Sequence, residues 1–316
     1  MSTLEKTIAE IKSLKIQGAS LVARSAVEAL GKEMLSSKAT SRAAFLKQLH
    51  IAAIKLKNSR PTEPALRNAL RFVLVRTKQC SGEPPQLKRV VEREVKEYEQ
   101  NAFRTKKLIA EYGAKLVPDG GSVLTHCHSN TVMEVLRKAK ASGKKFEVFC
   151  TESRPLYQGH KTTRDLTKAG IKTTLIVDSA SQYALRMMRD TDVVMVGSDA
   201  ITSRGDLINK IGTATIAIVA REHDKDLYSC TGVHKFDPLT LWGESEPIEM
   251  RDKTEILDSK TAKQKQIAYS KLKILNPAFD LTPARFVEAY VTELGVIPPQ
   301  AMLNRVWKEL DLDDTA

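Results

Sequence analysis

At Gly121 the periodicity of the chain changes, and that change limits the folds open to it. Upstream, apolar residues recur at helical spacing: Leu4, Ile8, Ile11 and Leu14, then Leu21, Val22, Ala26 and Leu30. Such spacing lines up one face of an α-helix. Further helices are expected over 43–56, 66–75 and 86–116. Two proline-bearing breaks, Ser59-Arg-Pro-Thr-Glu-Pro64 and Cys80-Ser-Gly-Glu-Pro-Pro85, separate them, because a proline disfavours helix at the residue before it. Gly18 or Ser20 is placed to open the second helix. Downstream, short β-rich runs at 122–125, 146–151, 173–177, 193–197 and 227–230 alternate with helical patterns at 131–141, 161–169, 181–189 and 209–222. Residues 286–297 read as a later strand. This β-α-β-α order specifies an α/β protein with a doubly wound, mostly parallel, Rossmann-like sheet. The expected domains are a helical one over 1–118 and an α/β one over 119–316. No G-x-G-x-x-G follows the first run, so dinucleotide binding is not supported.

In a parallel sheet the loops after the strands emerge at one edge, where ligands bind. Six residues, Thr125-His-Cys-His-Ser-Asn130, form the first such loop and lead into a helix whose N-cap falls at Ser129 or Asn130. Cys127 is thus near a helix N-terminus and between two imidazoles, features that lower a thiol pKa. The competing reading is a half-buried structural cysteine. Glu152, Arg154, Asp178, Asp199, Asn209, Lys210 and Lys235 lie on the other strand-end loops and can converge with Cys127. Helix capping competes for Asp178 and Asp199, and plain surface exposure for Lys210 and Lys235. A cysteine facing an aspartate in a phosphate-friendly pocket suits acyl transfer by a Cys nucleophile. It equally suits proton relay at a sugar carbon. The residues alone leave both open.

The net charge of +12 is unevenly placed. Residues 1–118 carry 23 Lys+Arg against 11 Asp+Glu, and the remainder balances at 27 against 27. An excess of that kind favours phosphorylated ligands, RNA or an acidic partner. Aromatic residues are too sparse there for base stacking. Cys80, Cys127, Cys150 and Cys230 form no C-x-x-C pair, so neither a disulfide framework nor a zinc knuckle is indicated. His126 and His128 are two ligands and do not make a metal site. No metal and no cofactor is expected. No apolar run is long enough for a membrane span, and residues 1–14 lack a signal-peptide core, so a cytoplasmic protein is expected.

Several motifs, read in order, resemble one family. They are Ala23-Arg-Ser25, Ser59-Arg-Pro61, Leu124-Thr-His-Cys-His-Ser129, Thr151-Glu-Ser-Arg-Pro155, Val196-Gly-Ser-Asp-Ala-Ile201, Ile208-Asn-Lys-Ile-Gly-Thr213, His234-Lys-Phe236, Asn276-Pro-Ala-Phe-Asp280 and Gly295-Val-Ile-Pro-Pro299. The family holds ribose-1,5-bisphosphate isomerase, methylthioribose-1-phosphate isomerase and the α, β and δ subunits of translation initiation factor 2B. The likeness leans toward the archaeal ribose-1,5-bisphosphate isomerases. It implies an aldose-ketose isomerase in which Cys127 takes the C2 proton while Asp199 acts as acid and assists ring opening. It further implies substrate contacts from Gln17, Gly18, Ala19, Ser20, Arg60, His128, Ser129, Arg154, Asn209, Lys210 and Lys235. Where those isomerases carry Arg-Gly-Ala-Gly, this chain has Gln17-Gly-Ala-Ser20, which removes an arginine fork for phosphate. A homo-oligomer is implied, a dimer or a hexamer of dimers, together with a nucleotide as candidate activator. The alternatives within the family are methylthioribose-1-phosphate isomerase and a non-catalytic subunit that binds initiation factor 2 or RNA.

Overall fold

The computed structural model describes residues 2–245 and 247–309. Five helices come first: α1 (Thr3–Lys12), α2 (Ala19–Leu35), α3 (Arg42–Lys57), α4 (Pro64–Gln79) and α5 (Pro84–Leu116). Ser2 opens α1 through a capping box with Glu5, and Ser41 caps α3 through the Ala44 N–H. Pro64 and Pro84 each stand at a first helical position, where a missing N–H costs nothing. Gly18 opens α2 with φ 87°, a backbone region that favours glycine. The faces of these helices close one core that includes Val22, Leu30, Phe45, Leu49, Leu66 and Leu87.

The α/β part runs β1 (Gly121–Thr125), α6 (Asn130–Ala141), β2 (Phe146–Thr151), α7 (Gln158–Lys168), β3 (Lys172–Ile176), α8 (Ser181–Met187) and β4 (Val193–Val196). It continues through β5 (Ala200–Ile201), β6 (Leu207–Lys210), α9 (Thr213–Glu222), β7 (Leu227–Cys230), α10 (Ser259–Gln264), β8 (Phe279–Thr282), β9 (Ala289–Thr292), β10 (Gly295–Ile297) and α11 (Met302–Glu309). The main sheet has the order β10-β9-β7-β4-β1-β2-β3, parallel except for the β9–β10 hairpin. Alternate strand residues feed opposite faces. Leu124, Val194 and Val196 enter one core with α8, α9 and α11; Val123, Val148, Val193 and Met195 enter the other with α5, α6 and α7. The sheet is therefore doubly wound. Reading outward from β1, the chain runs to β2 and β3 on one side and returns to β4 on the other. The carboxyl ends of β1 and β4 thus flank the point where strand order reverses.

Three expectations need correction. Residues 286–297 form two strands, not one. Asn209 and Lys210 end a strand instead of starting a helix, because β6 pairs antiparallel with β5 and β8 in a second sheet. That three-stranded sheet has no counterpart in the sequence reading. The helical stretch ends at Leu116 and β1 starts at Gly121. The outermost bounds, Met1 and residues 310–316, lie outside the described residues.

Candidate active site

A cleft of about 1160 Å³ opens at the β1–β4 reversal, between the strand ends and the helical part. Of the residues singled out from the sequence, Gln17, Gly18, Ala19, Ser20, Arg60, Cys127, His128, Ser129, Asp199, Asn209, Lys210 and Lys235 all line it. Arg154 does not. Its side chain is exposed, bonds the Tyr157 hydroxyl at 2.5 Å and stacks on that ring. Glu152 and Asp178 also stay outside the lining. Asp178 accepts from the backbone N–H groups of Ser153 and Arg154, both at 2.7 Å, and so serves the turn after β2.

Cys127 follows β1 with φ 69°, a left-handed conformation uncommon outside glycine. Its neighbours hold it there. The Cys127 N–H donates to Ser153 Oγ at 2.7 Å, and Thr162 Oγ1 donates to the Cys127 carbonyl at 2.8 Å. His126 is buried between Thr151 Oγ1, 2.6 Å from Nδ1, and the Ile211 carbonyl, 2.8 Å from Nε2. That pairing sets a neutral ring with the proton on Nε2. The histidine thereby ties the β1 loop to the start of α9. Gly212, φ 103°, makes room for it: a Cβ there would lie 3.2 Å from the ring. Gly197, at the end of β4, lies so close to Ser129 that a Cβ would sit 2.9 Å away. The loops carrying Cys127 and Asp199 therefore abut.

The expected acidic thiol is not found. Burial pushes Cys127 up to about 11; Lys210 pulls it down and Asp199 pushes it further up. The reasons are local. His126 and His128 are both held below their ordinary values by burial, so neither supplies positive charge. The Val132 N–H of α6 is taken by Ser129 Oγ. At neutral pH the free protein holds a protonated Cys127.

The cationic side is more complete. Lys235 is buried, contacts the Ser198 carbonyl, and is lowered by burial against the raising influence of Asp199 and Glu63. Asn209 donates to Thr213 Oγ1 at 3.0 Å. Lys210 lies 5.2 Å over the Phe279 ring. Arg60 reaches Glu249 at 3.2 Å and lies 4.0 Å from Glu63. Gln17 turns back onto the Leu14 carbonyl at 2.6 Å. Arg24, Arg71, Arg104, Lys106 and Lys161 also line the cleft. Sequence reasoning named none of these as a site residue, although Arg24 stands in the Ala23-Arg-Ser25 motif, nor Glu63, which read only as part of a helix break. Among the described residues no cluster of metal-ligating side chains is found, and no helix is long and apolar enough to cross a membrane.

The Initiation factor 2 subunit family model matches residues 15–299. A Thermococcus kodakarensis protein named ribose 1,5-bisphosphate isomerase is 40% identical over 303 residues, covering 95% of this chain and 92% of that one. The Pyrococcus horikoshii translation initiation factor eIF-2B superposes with a TM-score of 0.79 at 27% identity, over 94% of this chain and 97% of that one. The 5-methylthioribose 1-phosphate isomerase of the same organism gives 0.79 at 26% identity, over 97% and 88%. With a family model over most of its length and a relative so similar across almost all of it, the chain belongs to the initiation factor 2 subunit family.

Proposed function

We propose that this protein is an aldose-ketose isomerase that converts ribose 1,5-bisphosphate to ribulose 1,5-bisphosphate, with Cys127 as base and Asp199 as acid. One observation carries the reading: the two residues follow adjacent parallel strands at the reversal point and open onto a cleft lined with lysine and arginine. The 40% identity to a protein named for that activity supports it.

Moving one proton from Cys127 to Asp199 prepares both groups and leaves the net charge unchanged. Loss of the Asp199 charge removes one influence that holds the thiol up, so the two transfers reinforce each other. Asp199 then protonates the ring oxygen as the C1–O4 bond breaks. Cys127 takes the C2 proton, and its bonding electrons form C1=C2 of an enol. The C2 hydroxyl returns its proton to Asp199 as the ketone forms, and C1 takes the proton held by Cys127. Lys210, Lys235, Asn209 and Arg60 hold phosphate and hydroxyls, with His128, Ser129 and the Gln17–Ser20 turn around them.

The test is to incubate the pure protein with ribose 1,5-bisphosphate and follow the ketose by 13C NMR. Faster turnover of methylthioribose 1-phosphate would move the assignment to that isomerase. No turnover of either, with capture of initiation factor 2, would make the chain a regulatory subunit. The same assay with and without added nucleotide tests activation. Self-association is proposed on the family likeness, with exposed Leu175, Val177, Tyr183 and Met187 near the β3 edge as its site. Sedimentation should show a dimer or larger, and Tyr183→Glu with Met187→Glu should shift it toward monomer.

A further inference from the structure

Glu63 has no place in the chemistry above, and its side chain makes no hydrogen bond among the described residues, although its carbonyl accepts from the Leu66 and Arg67 N–H groups. It occupies the N-cap position of α4, yet its side chain caps nothing. It is 2% exposed, and its Oε1 has no partner among the described residues. Its Oε2 lies 4.0 Å from Arg60 Nε, while the other end of that guanidinium is directed at Glu249. A buried carboxylate ordinarily gathers several donors, because a bare one is costly.

The surroundings are fixed by an interlock between the helical part and the strand ends. Arg67 Nη2 bonds Asp237 Oδ1 at 2.8 Å. Asn68 Nδ2 donates to the carbonyls of His234 and Phe236, each at 2.8 Å, and so brackets Lys235. These bonds hold the backbone around Lys235 against α4, the helix whose N-cap position Glu63 occupies. The charged groups around Glu63 are Arg60 and Arg67 from the helical side and Asp199 and Lys235 from the other. Burial first, then Asp199, pushes Glu63 up to about 8, against the pull of the three cations.

We propose that Glu63 is a positioning residue of the isomerase site: as a neutral acid it leaves Lys235 and Asp199 free to meet the substrate, and its ionisation ends activity at alkaline pH. The proposal rests on the isomerase reading. Ionised, Glu63 competes for Lys235 and places a second negative charge beside Asp199 in a cleft that must receive phosphate. The substrate phosphates have finished titrating by then, since their second pKa is about 6.

The experiment has two arms. Infrared titration of the wild-type protein without substrate should show a protonated-carboxyl band lost with a midpoint near pH 8, and Glu63→Gln should lack it. The kcat/KM for ribose 1,5-bisphosphate should fall with the same midpoint in wild type. In Glu63→Gln, scaled to its own maximum, that limb should move up by about one pH unit or more. A limb that stays in place in the variant, or no carboxyl band titrating in this range in wild type, overturns the proposal. A wild-type protein without turnover overturns the isomerase reading instead, and the infrared arm still reports whether Glu63 titrates.

Discussion

Cys127 is a poor nucleophile at rest and a strong base once ionised, and both follow from its surroundings. With the thiol pushed up to about 11, the thiolate fraction at neutral pH is about 10⁻⁴, and labelling should rise about tenfold per pH unit up to that value. Iodoacetamide labelling followed by mass spectrometry checks this. Asp199→Asn removes a charge that pushes the thiol up, so Cys127 in that variant should label faster than in wild type at the same pH. Equal rates would mean that the two groups do not feel each other. In turnover the same variant should lose about 10²–10⁴-fold, since an amide cannot donate an acidic proton. Cys127→Ser should lose a similar factor, because a hydroxyl proton is far harder to remove. Both variants should still bind ribose 1,5-bisphosphate, as measured by calorimetry, because the cationic groups are untouched.

At the level of elements, the site depends on how closely the end of β2 meets the start of α7. A Cβ on Gly159 would lie 1.7 Å from the Thr151 carbonyl oxygen, a backbone atom that cannot step aside. Thr151 holds His126, and the neighbouring Ser153 holds the Cys127 backbone. Gly159→Ala should therefore separate β2 from α7, lower stability by roughly 1–3 kcal/mol, and reduce turnover through the Cys127 loop. Thermal unfolding and the isomerase assay read the two effects. An unchanged melting temperature would mean that the start of α7 yields more easily than its packing suggests.

Across the whole molecule, α5 joins the two cores. Its 33 residues pack Leu87 and Val91 into the helical core and Ile109 and Ala114 against the sheet. The positive excess of the helical part meets the strand ends at the cleft, through Arg24, Arg60, Arg71 and Arg104. Asn68 is the finest link between the two sides. Asn68→Ala should cost about 1–3 kcal/mol of stability from two lost hydrogen bonds. It should also raise KM for ribose 1,5-bisphosphate more than it lowers kcat, since the Lys235 backbone loses its clamp. A KM unchanged from wild type would show that Lys235 is held without it.

The helical region, the parallel strands and the placing of Cys127 and Asp199 on strand-end loops were legible in the sequence. Each rests on local periodicity or on the rule that parallel strands share one loop edge. The second sheet was not legible, because β5, β6 and β8 are short and β8 comes from far along the chain. Likewise Arg154 was expected at the substrate, yet its turn, fixed by Asp178, leaves its side chain outside the cleft lining. The protonation states needed tertiary structure most. Position before a helix argued for an acidic Cys127, but burial and the Asp199 charge outweigh it. Glu63 read as punctuation between two prolines until folding buried it beside Asp199 and Lys235. Desolvation and charge depend on groups brought together from distant parts of the chain, and no local pattern records them.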